Sequence, residues 1–142
     1  MRALGREVGY AVLAWLLPFA ASVCIFPLKK SHPPLFESLM GVLLAGSTVL
    51  LGCAYLRRAH GNPPSVGARI GVTWMVANWL LDGLMFSGGP MKMSLHQYAG
   101  DIAVAYFMIP VITIGLGLAK RSGAASNRTP PDLLRTTDQA PL

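Results

Sequence analysis

Four long apolar segments dominate the pattern of hydrophobic and polar positions along the chain. Polar stretches containing Pro and Gly separate these segments, which cover residues 8–28, 35–56, 70–86 and 98–118. A helix of about 20 residues crosses the hydrocarbon core of a bilayer, and Pro and Gly mark turns between such helices. The pattern therefore predicts an all-α protein, an antiparallel four-helix transmembrane bundle formed by residues 1–119.

Small and polar residues recur at helical spacing in three segments and predict which face of each helix turns inward. In the third segment this stripe is Gly67, Gly71, Trp74, Asn78 and Asp82. The residues on its opposite face are Val72, Val76 and Leu80. The second segment has the stripe Glu37, Gly41, Thr48, Gly52 and Tyr55. In the fourth segment it is Asp101, Ala105, Met108, Ile112 and Gly115, and the residues predicted to face lipid are Phe107, Val111, Ile114 and Leu118. We expect these stripes to face protein.

Asp82 is the residue that most needs an explanation, because it lies within an otherwise apolar segment. Charged groups inside membrane spans are costly and by default mark a functional site. The predicted topology brings acids and a lysine from one side of the membrane together with Asp82. The candidate polar cluster is Asp82, Asn78, Asp101, Glu37 and Lys92.

This candidate cluster has three readings: it binds a cation, relays protons, or neutralises itself. Glu37 and Asp101 fall in predicted first helical turns, where a carboxylate caps backbone amides and complements the helix dipole. Asp82 lies near a helix C-terminus, so it needs a specific partner. Lys92 is the first choice, followed by Lys29 or Lys30, and such a pair would fasten an outer loop to the bundle.

Thioether and imidazole groups in one loop raise the alternative of a copper site. Met91, Met93 and His96 are ligands that suit Cu(I). Their spacing is loose, and Met is ordinary filling for apolar helices, so we expect no metal and no cofactor. The chain has no HExxH, GxSxG, CxxC or phosphate-binding motif. We therefore expect that the protein is not an enzyme.

Composition and charge agree with a membrane protein and add an orientation. Only 13% of the residues are charged, against about 25% in soluble domains. Nine of the 12 Lys and Arg residues lie on the side of the termini and the middle loop, and basic residues stay cytoplasmic. Both termini are thus predicted to be cytoplasmic. The net charge of +6 then faces anionic lipids and needs no nucleic-acid partner.

Two further features complete the predicted organisation. Residues 120–142 contain too few large apolar residues to form a core, so we expect a disordered cytoplasmic tail.

Cys24 and Cys53 fall near opposite ends of predicted spans, most of a membrane apart. We therefore expect no disulfide between them within one chain.

Three sequence patterns occur in the second half of the chain: W-x3-N-W-x2-D from Trp74 to Asp82, P-M-x-M-S from Pro90, and Y-x2-D-I-x3-Y-x2-I-P-x2-T from Tyr98. Through these patterns the chain resembles a group of small uncharacterised prokaryotic four-helix membrane proteins. The sequence FESLM from Phe36 adds to it in the first half. The group often has a polar or basic residue just before the tyrosine that corresponds to Tyr106, where this chain has Ala105. The resemblance implies a four-helix fold and no particular activity.

These observations together lead to two functional hypotheses. The first is a non-enzymatic structural or accessory protein of the prokaryotic plasma (inner) membrane, which packs in the bilayer as a homo-oligomer or in a larger membrane complex. The alternative is a small proton or cation transporter, or a channel subunit, that uses the outer-side carboxylates. Four helices leave little room for a transport pathway within one chain, so transport would need an oligomer.

Overall fold

The structure is a computed structural model that describes residues 2–86, 100 and 103–126. Its four α-helices are α1 (Arg2–Ser31), α2 (Pro33–Arg58), α3 (Pro63–Phe86) and α4 (Met108–Ser126). A 3₁₀ helix (Ala103–Phe107) leads directly into α4. No strand occurs in these described ranges. The prediction of an all-α four-helix protein is therefore confirmed.

Proline pairs start two of the helices. Only His32 separates α1 from α2, which opens with Pro33 and Pro34, and α3 opens with Pro63 and Pro64. Proline is favoured in a first helical turn, because the N–H groups there make no hydrogen bond within the helix and proline lacks this group. Between α2 and α3, Gly61 has a φ of 109°, a conformation that costs glycine least.

The helices are longer than the apolar segments that predicted them. α3 begins seven residues before the predicted span 70–86, because Arg69 ends the apolar run without ending the helix. α4 continues to Ser126, so residues 120–126 of the predicted disordered tail are helical. Residues 127–142 lie outside the described part of the chain, as do residues 98, 99, 101 and 102 of the predicted fourth span.

The helices form a ring in the order α1, α2, α4, α3, with the most extensive contact between α3 and α4. Consecutive helices run antiparallel, so α1 and α3 begin at the end of the bundle where α2 and α4 finish. We call this the Glu7 end, and we call the other one the Asp82 end. α2 and α3 are diagonal to each other and touch little.

Glycines let α3 and α4 approach each other closely. A Cβ atom on Gly67 would collide with the Thr113 carbonyl, and one on Gly71 would lie 2.6 Å from the Pro110 Cα. Gly117 of α4 lies in the same way against Pro63. Small residues permit such backbone contact between membrane helices.

Three helical segments are long and apolar enough to cross a membrane: Gly5–Ser31, Pro33–Arg58 and Ala103–Ser126. α3 is not among them, although its 24 residues give it the necessary length. Arg69, Asn78 and Asp82 lower its hydropathy. The stripe that contains Asn78 and Asp82 is covered by the other helices, so α3 presents mainly apolar residues to the outside.

The predicted inward face was right for α3 and only partly right for α4. All five stripe residues of α3 are buried, and the three predicted outward residues are exposed. In α4 the buried residues are Ile109, Thr113 and Gly117, whereas Gly115 is exposed. Ala105, Met108 and Ile112 of the predicted stripe are half-buried, and Phe107, Val111 and Leu118 on the predicted outward face are exposed. The buried face of α4 is therefore shifted by about one residue from the predicted stripe, because Thr113 and Gly117 are the residues that contact α3.

Candidate functional site

Asp82 lies inside the bundle and connects three helical elements. It is 5% exposed. Its Oδ1 accepts a hydrogen bond of 2.6 Å from the Trp15 indole Nε1 of α1, and its Oδ2 accepts one of 2.6 Å from the Tyr106 hydroxyl. Charge-assisted hydrogen bonds of this kind are shorter and stronger than neutral ones. The expectation that Asp82 has specific partners is therefore met by two uncharged donors.

The local sequence explains why Tyr106 can reach this position. Tyr106 belongs to the 3₁₀ helix, and Pro110 follows it by four residues in the first turn of α4. Proline has no N–H to donate to the carbonyl four residues earlier, and its ring crowds that carbonyl. The tighter 3₁₀ turn removes the need for this hydrogen bond. On α1, the Trp15 ring stacks on Phe19 with 4.8 Å between ring centroids, which fixes the indole.

One helical turn from Asp82, the amide of Asn78 is buried between the helices. Its Nδ2 donates to the Trp74 carbonyl oxygen of the preceding turn at 2.8 Å. In the described part of the chain, two buried side-chain atoms have no hydrogen-bond partner: Asn78 Oδ1 and Trp74 Nε1. One of these atoms is an acceptor and the other a donor.

Three aromatic rings fill the bundle between Asn78 and the Glu7 end. Tyr10 stacks on Trp74, and Tyr55 meets both rings edge to face, with centroids 5.4 Å from Tyr10 and 6.2 Å from Trp74. The Arg6 guanidinium lies 5.0 Å from the centroid of the Tyr55 ring. These rings separate Asp82 from the groups at the other end.

A second buried carboxylate, Glu7, lies at that other end. Glu7 is 5% exposed, and its Oε1 lies 3.5 Å from the Arg69 Nε of α3. Sequence reasoning missed this pair, because Glu7 precedes the apolar segment 8–28. A signal was present: Glu7 is one turn before Ala11 and two before Ala14, both of which are buried on α1.

The remaining members of the predicted cluster have different outcomes. Glu37 is exposed on α2, so the prediction of an inward-facing Glu37 was wrong. The reason is that no residue between 19 and 43, a range described throughout, is buried. Asp101 and Lys92 lie outside the described residues, so the proposed Asp82–Lys92 pair stays a prediction.

The structure does not test the predicted metal alternative. Met91, Met93 and His96 fall outside the described ranges. Within residues 2–86, 100 and 103–126, no group of three or more His, Cys, Asp or Glu side chains could hold a metal ion. Cys24 and Cys53 are both free thiols, in agreement with the expectation that they do not bridge.

Comparison of the chain with protein-family models, curated proteins and solved structures gave no match. The resemblance to small four-helix membrane proteins therefore stays a prediction from the patterns between Trp74 and Thr113.

Proposed function

We propose that this protein is a non-enzymatic structural or accessory component of a prokaryotic plasma membrane, which packs with copies of itself or within a larger membrane complex. The observation that carries this proposal is the pair of hydrogen bonds that Asp82 accepts. Both of its oxygens bind donors from other helical elements, Trp15 and Tyr106. A carboxylate held in this way fastens α1, α3 and the start of α4 to one another.

The uncovered half of the α1–α2 hairpin supports association with other membrane helices. Between residues 19 and 43 no side chain is buried, and large apolar side chains such as Val23, Phe26, Leu35 and Val42 are exposed. α3 and α4 cover the hairpin mainly nearer the Glu7 end. Helices in lipid associate by close packing, and this segment offers about two helical faces to a second copy.

The distribution of charge supports an orientation with the Glu7 end in the cytoplasm. The described basic residues at this end are Arg2, Arg6, Arg57, Arg58, Arg69, Lys120 and Arg121. Lys29 and Lys30 are the described basic residues at the other end. Since Lys and Arg are retained on the cytoplasmic side, both termini are proposed to be cytoplasmic.

Cys24 provides a direct test of self-association, because it is an exposed thiol within residues 19–43. Oxidative crosslinking in native membranes should trap a Cys24–Cys24 dimer in the Cys53→Ser variant. The Cys24→Ser variant, which retains the half-buried Cys53, is the matched control and should give no dimer. A crosslink to a larger protein would identify a complex instead. A monomeric mass in mild detergent together with no crosslink of either kind would overturn the proposal.

A second candidate function, proton or cation movement, is favoured by one observation. The unpaired Asn78 Oδ1 and Trp74 Nε1 lie on α3 between two buried carboxylates, Glu7 and Asp82. Waters at such atoms could connect the two ends of the bundle. The aromatic rings of Tyr10, Tyr55 and Trp74 fill that region, however, which favours the structural role.

Ion flux in liposomes distinguishes the two functions. Transport predicts a pH- or cation-dependent flux in the parent protein that Asp82→Asn abolishes while the fold is retained. The structural role predicts no flux in the parent and a loss of stability in Asp82→Asn. Lys92→Met and the double variant test the predicted Asp82–Lys92 pair, since strictly additive effects on stability would rule it out.

A further inference from the structure

A groove of about 240 Å³ opens between the parallel helices α2 and α4, near the point where α2 ends. Both helices run toward the Glu7 end, so the groove lies close to one end of the bundle. Its walls are formed by Cys53, Leu56, Arg57, Leu116, Ala119 and Lys120. The groove therefore combines apolar side chains with two cationic ones.

The two walls repeat one arrangement. On α2, Cys53 precedes Arg57 by four residues, and on α4, Leu116 precedes Lys120 by four. Residues four apart lie above one another on a helix face, about 6 Å apart. Each wall thus has a cation near the C-terminal end of its helix. A less polar residue lies one helical turn farther from that end.

The Lys120 side chain is fixed at this groove. Its Nζ donates a hydrogen bond to the Leu56 carbonyl oxygen, one of the last carbonyls of α2. An ammonium group has three donors, so two remain for another acceptor. Arg57 is exposed and has a planar group that can bind two phosphate oxygens at once. The ion pair described at this end, Glu7–Arg69, uses neither cation.

We propose that this groove binds one anionic phospholipid. The phosphodiester of the head group contacts Arg57 and Lys120, and the start of an acyl chain lies against Leu56, Leu116 and Cys53. Basic pockets between membrane helices on the cytoplasmic side suit lipids of this kind. The proposal depends on the membrane location in the proposed function, but it does not depend on the packing role.

An acyl chain distinguishes this ligand from free phosphate. The deeper part of the groove is lined by Cys53 and Leu116, one helical turn below the cations. Neither side chain offers inorganic phosphate a strong hydrogen bond. A lipid fills both parts, because its charged head group and its hydrocarbon chain are covalently joined. We therefore expect phosphatidylglycerol to bind and inorganic phosphate to fail.

Native mass spectrometry of the intact chain provides the first test, with phosphatidylglycerol compared with phosphatidylcholine. The variant Arg57→Gln/Lys120→Gln removes both groove cations. Its matched control, Arg58→Gln/Arg121→Gln, removes the same charge from the neighbouring positions, which do not line the groove. We expect phosphatidylglycerol binding to fall about tenfold more in the groove variant than in the control. Equal losses in the two variants would mean general surface attraction and would overturn the proposal.

Cys53 offers a second test, because its thiol lies in the groove. In the Cys24→Ser background, N-ethylmaleimide should modify Cys53 more slowly with phosphatidylglycerol than with phosphatidylcholine. Inorganic phosphate should have no effect on this rate. Protection by phosphate, or no protection by phosphatidylglycerol, would contradict the proposal.

Folding has to be controlled separately, because Lys120 also binds the end of α2. The single variant Arg57→Gln replaces an exposed side chain and should keep the parent circular dichroism spectrum. It should still weaken phosphatidylglycerol binding several-fold, whereas Arg58→Gln should leave it near the parent value. Failure of Cys24 to crosslink would overturn self-association alone, so the two proposals can fail independently.

Discussion

Two carboxylates are buried to the same extent at opposite ends of α3, yet they are stabilised in different ways. Asp82 and Glu7 are each 5% exposed. The described partners of Asp82 are two uncharged donors inside the bundle, Trp15 and Tyr106. Glu7 instead lies beside Arg69, whose side chain is 60% exposed.

The two sites differ in how much of the partner side chain stays in contact with water. Trp and Tyr have large apolar bodies with one polar tip, so they can bring a donor to a buried oxygen and fill space as well. An arginine can lay its stem along apolar surface and keep its charged head in water. Arg69 can therefore pair with Glu7 while its head group stays largely in water, whereas Trp15 and Tyr106 bring their donors to Asp82 from within the bundle.

The largest expected effect comes from removing both donors at Asp82. The variant Trp15→Phe/Tyr106→Phe should lower the free energy of unfolding by about 3 to 6 kcal/mol, since each of the two hydrogen bonds to a charged group contributes about 1.5 to 3 kcal/mol. Denaturant titration in mild detergent measures this change. Adding Asp82→Asn removes the charge and should recover much of the loss.

Trp79→Phe is the matched control for this pair, because the Trp79 Nε1 donates to a neutral acceptor, the Ala103 carbonyl, at 3.2 Å. It should cost about 1 kcal/mol. If the double variant were no less stable than this control, the two bonds to Asp82 would not hold the helices together.

A smaller loss of stability is expected when a substitution pushes α3 away from α4 in the middle of the bundle. A Cβ atom on Gly71 would meet Pro110 and Thr113, and overpacking of this kind costs about 1 to 3 kcal/mol. Gly71→Ala should therefore reduce stability and weaken the Tyr106–Asp82 bond, while Glu7–Arg69, between α1 and α3, persists. Double-mutant cycles for each pair in the Gly71→Ala background measure the two couplings.

Gly83→Ala is the control for this substitution, because a Cβ atom there meets open space on the same helix. Alanine has the higher helix propensity, so Gly83→Ala should be neutral or slightly stabilising. Equal effects at the two glycines would show that the close contact of α3 with α4 does not limit stability.

At the Glu7 end we expect a smaller loss than at Asp82. Arg69→Gln should lower the free energy of unfolding by about 0.5 kcal/mol, because ion pairs with an exposed partner contribute about 0 to 1 kcal/mol. The same denaturant titration checks this value, with Arg58→Gln as the control for a change in net charge. A loss above that of Tyr106→Phe would reverse the comparison between the two ends.

The smallest expected effect is that of ionic strength on the coupling energies of the two pairs. Raising the ionic strength from about 0.05 M to about 0.5 M shortens the screening length several-fold. The coupling between Glu7 and Arg69, measured by a double-mutant cycle, should fall by a few tenths of a kcal/mol. The coupling between Tyr106 and Asp82 should hardly change, since its donor is uncharged. Similar salt dependence for both would mean that the two sites are equally open to water.

Sequence periodicity predicted the orientation of α3 fully and that of α4 only to within about one residue. The stripe from Gly67 to Asp82 mixes Gly, Trp, Asn and Asp, while Val72, Val76 and Leu80 occupy the opposite face. This contrast fixes the rotation of α3. In α4 nearly every position is apolar, so contacts of Gly67 and Gly71 with Thr113 decide its rotation.

The candidate site was also predictable only in part, because its contacts join residues that are far apart in the chain. Asp82 was identifiable, because a carboxylate in an apolar segment requires a partner. Its described partners, Trp15 and Tyr106, are 67 and 24 residues away along the chain. Nothing in their local sequence distinguishes them from other aromatic residues of a membrane protein.

The sequence by itself determined the number of helices, their breaks at proline pairs, and the burial of Asn78 and Asp82. These features depend on hydropathy, helical period and backbone chemistry, which act over one or two helical turns. The tertiary structure alone decided the final rotation of α4 by about one residue, the burial of Glu7 and the choice of donors for Asp82. Those outcomes depend on how closely helices approach one another, and that distance is set by contacts between residues far apart in the chain.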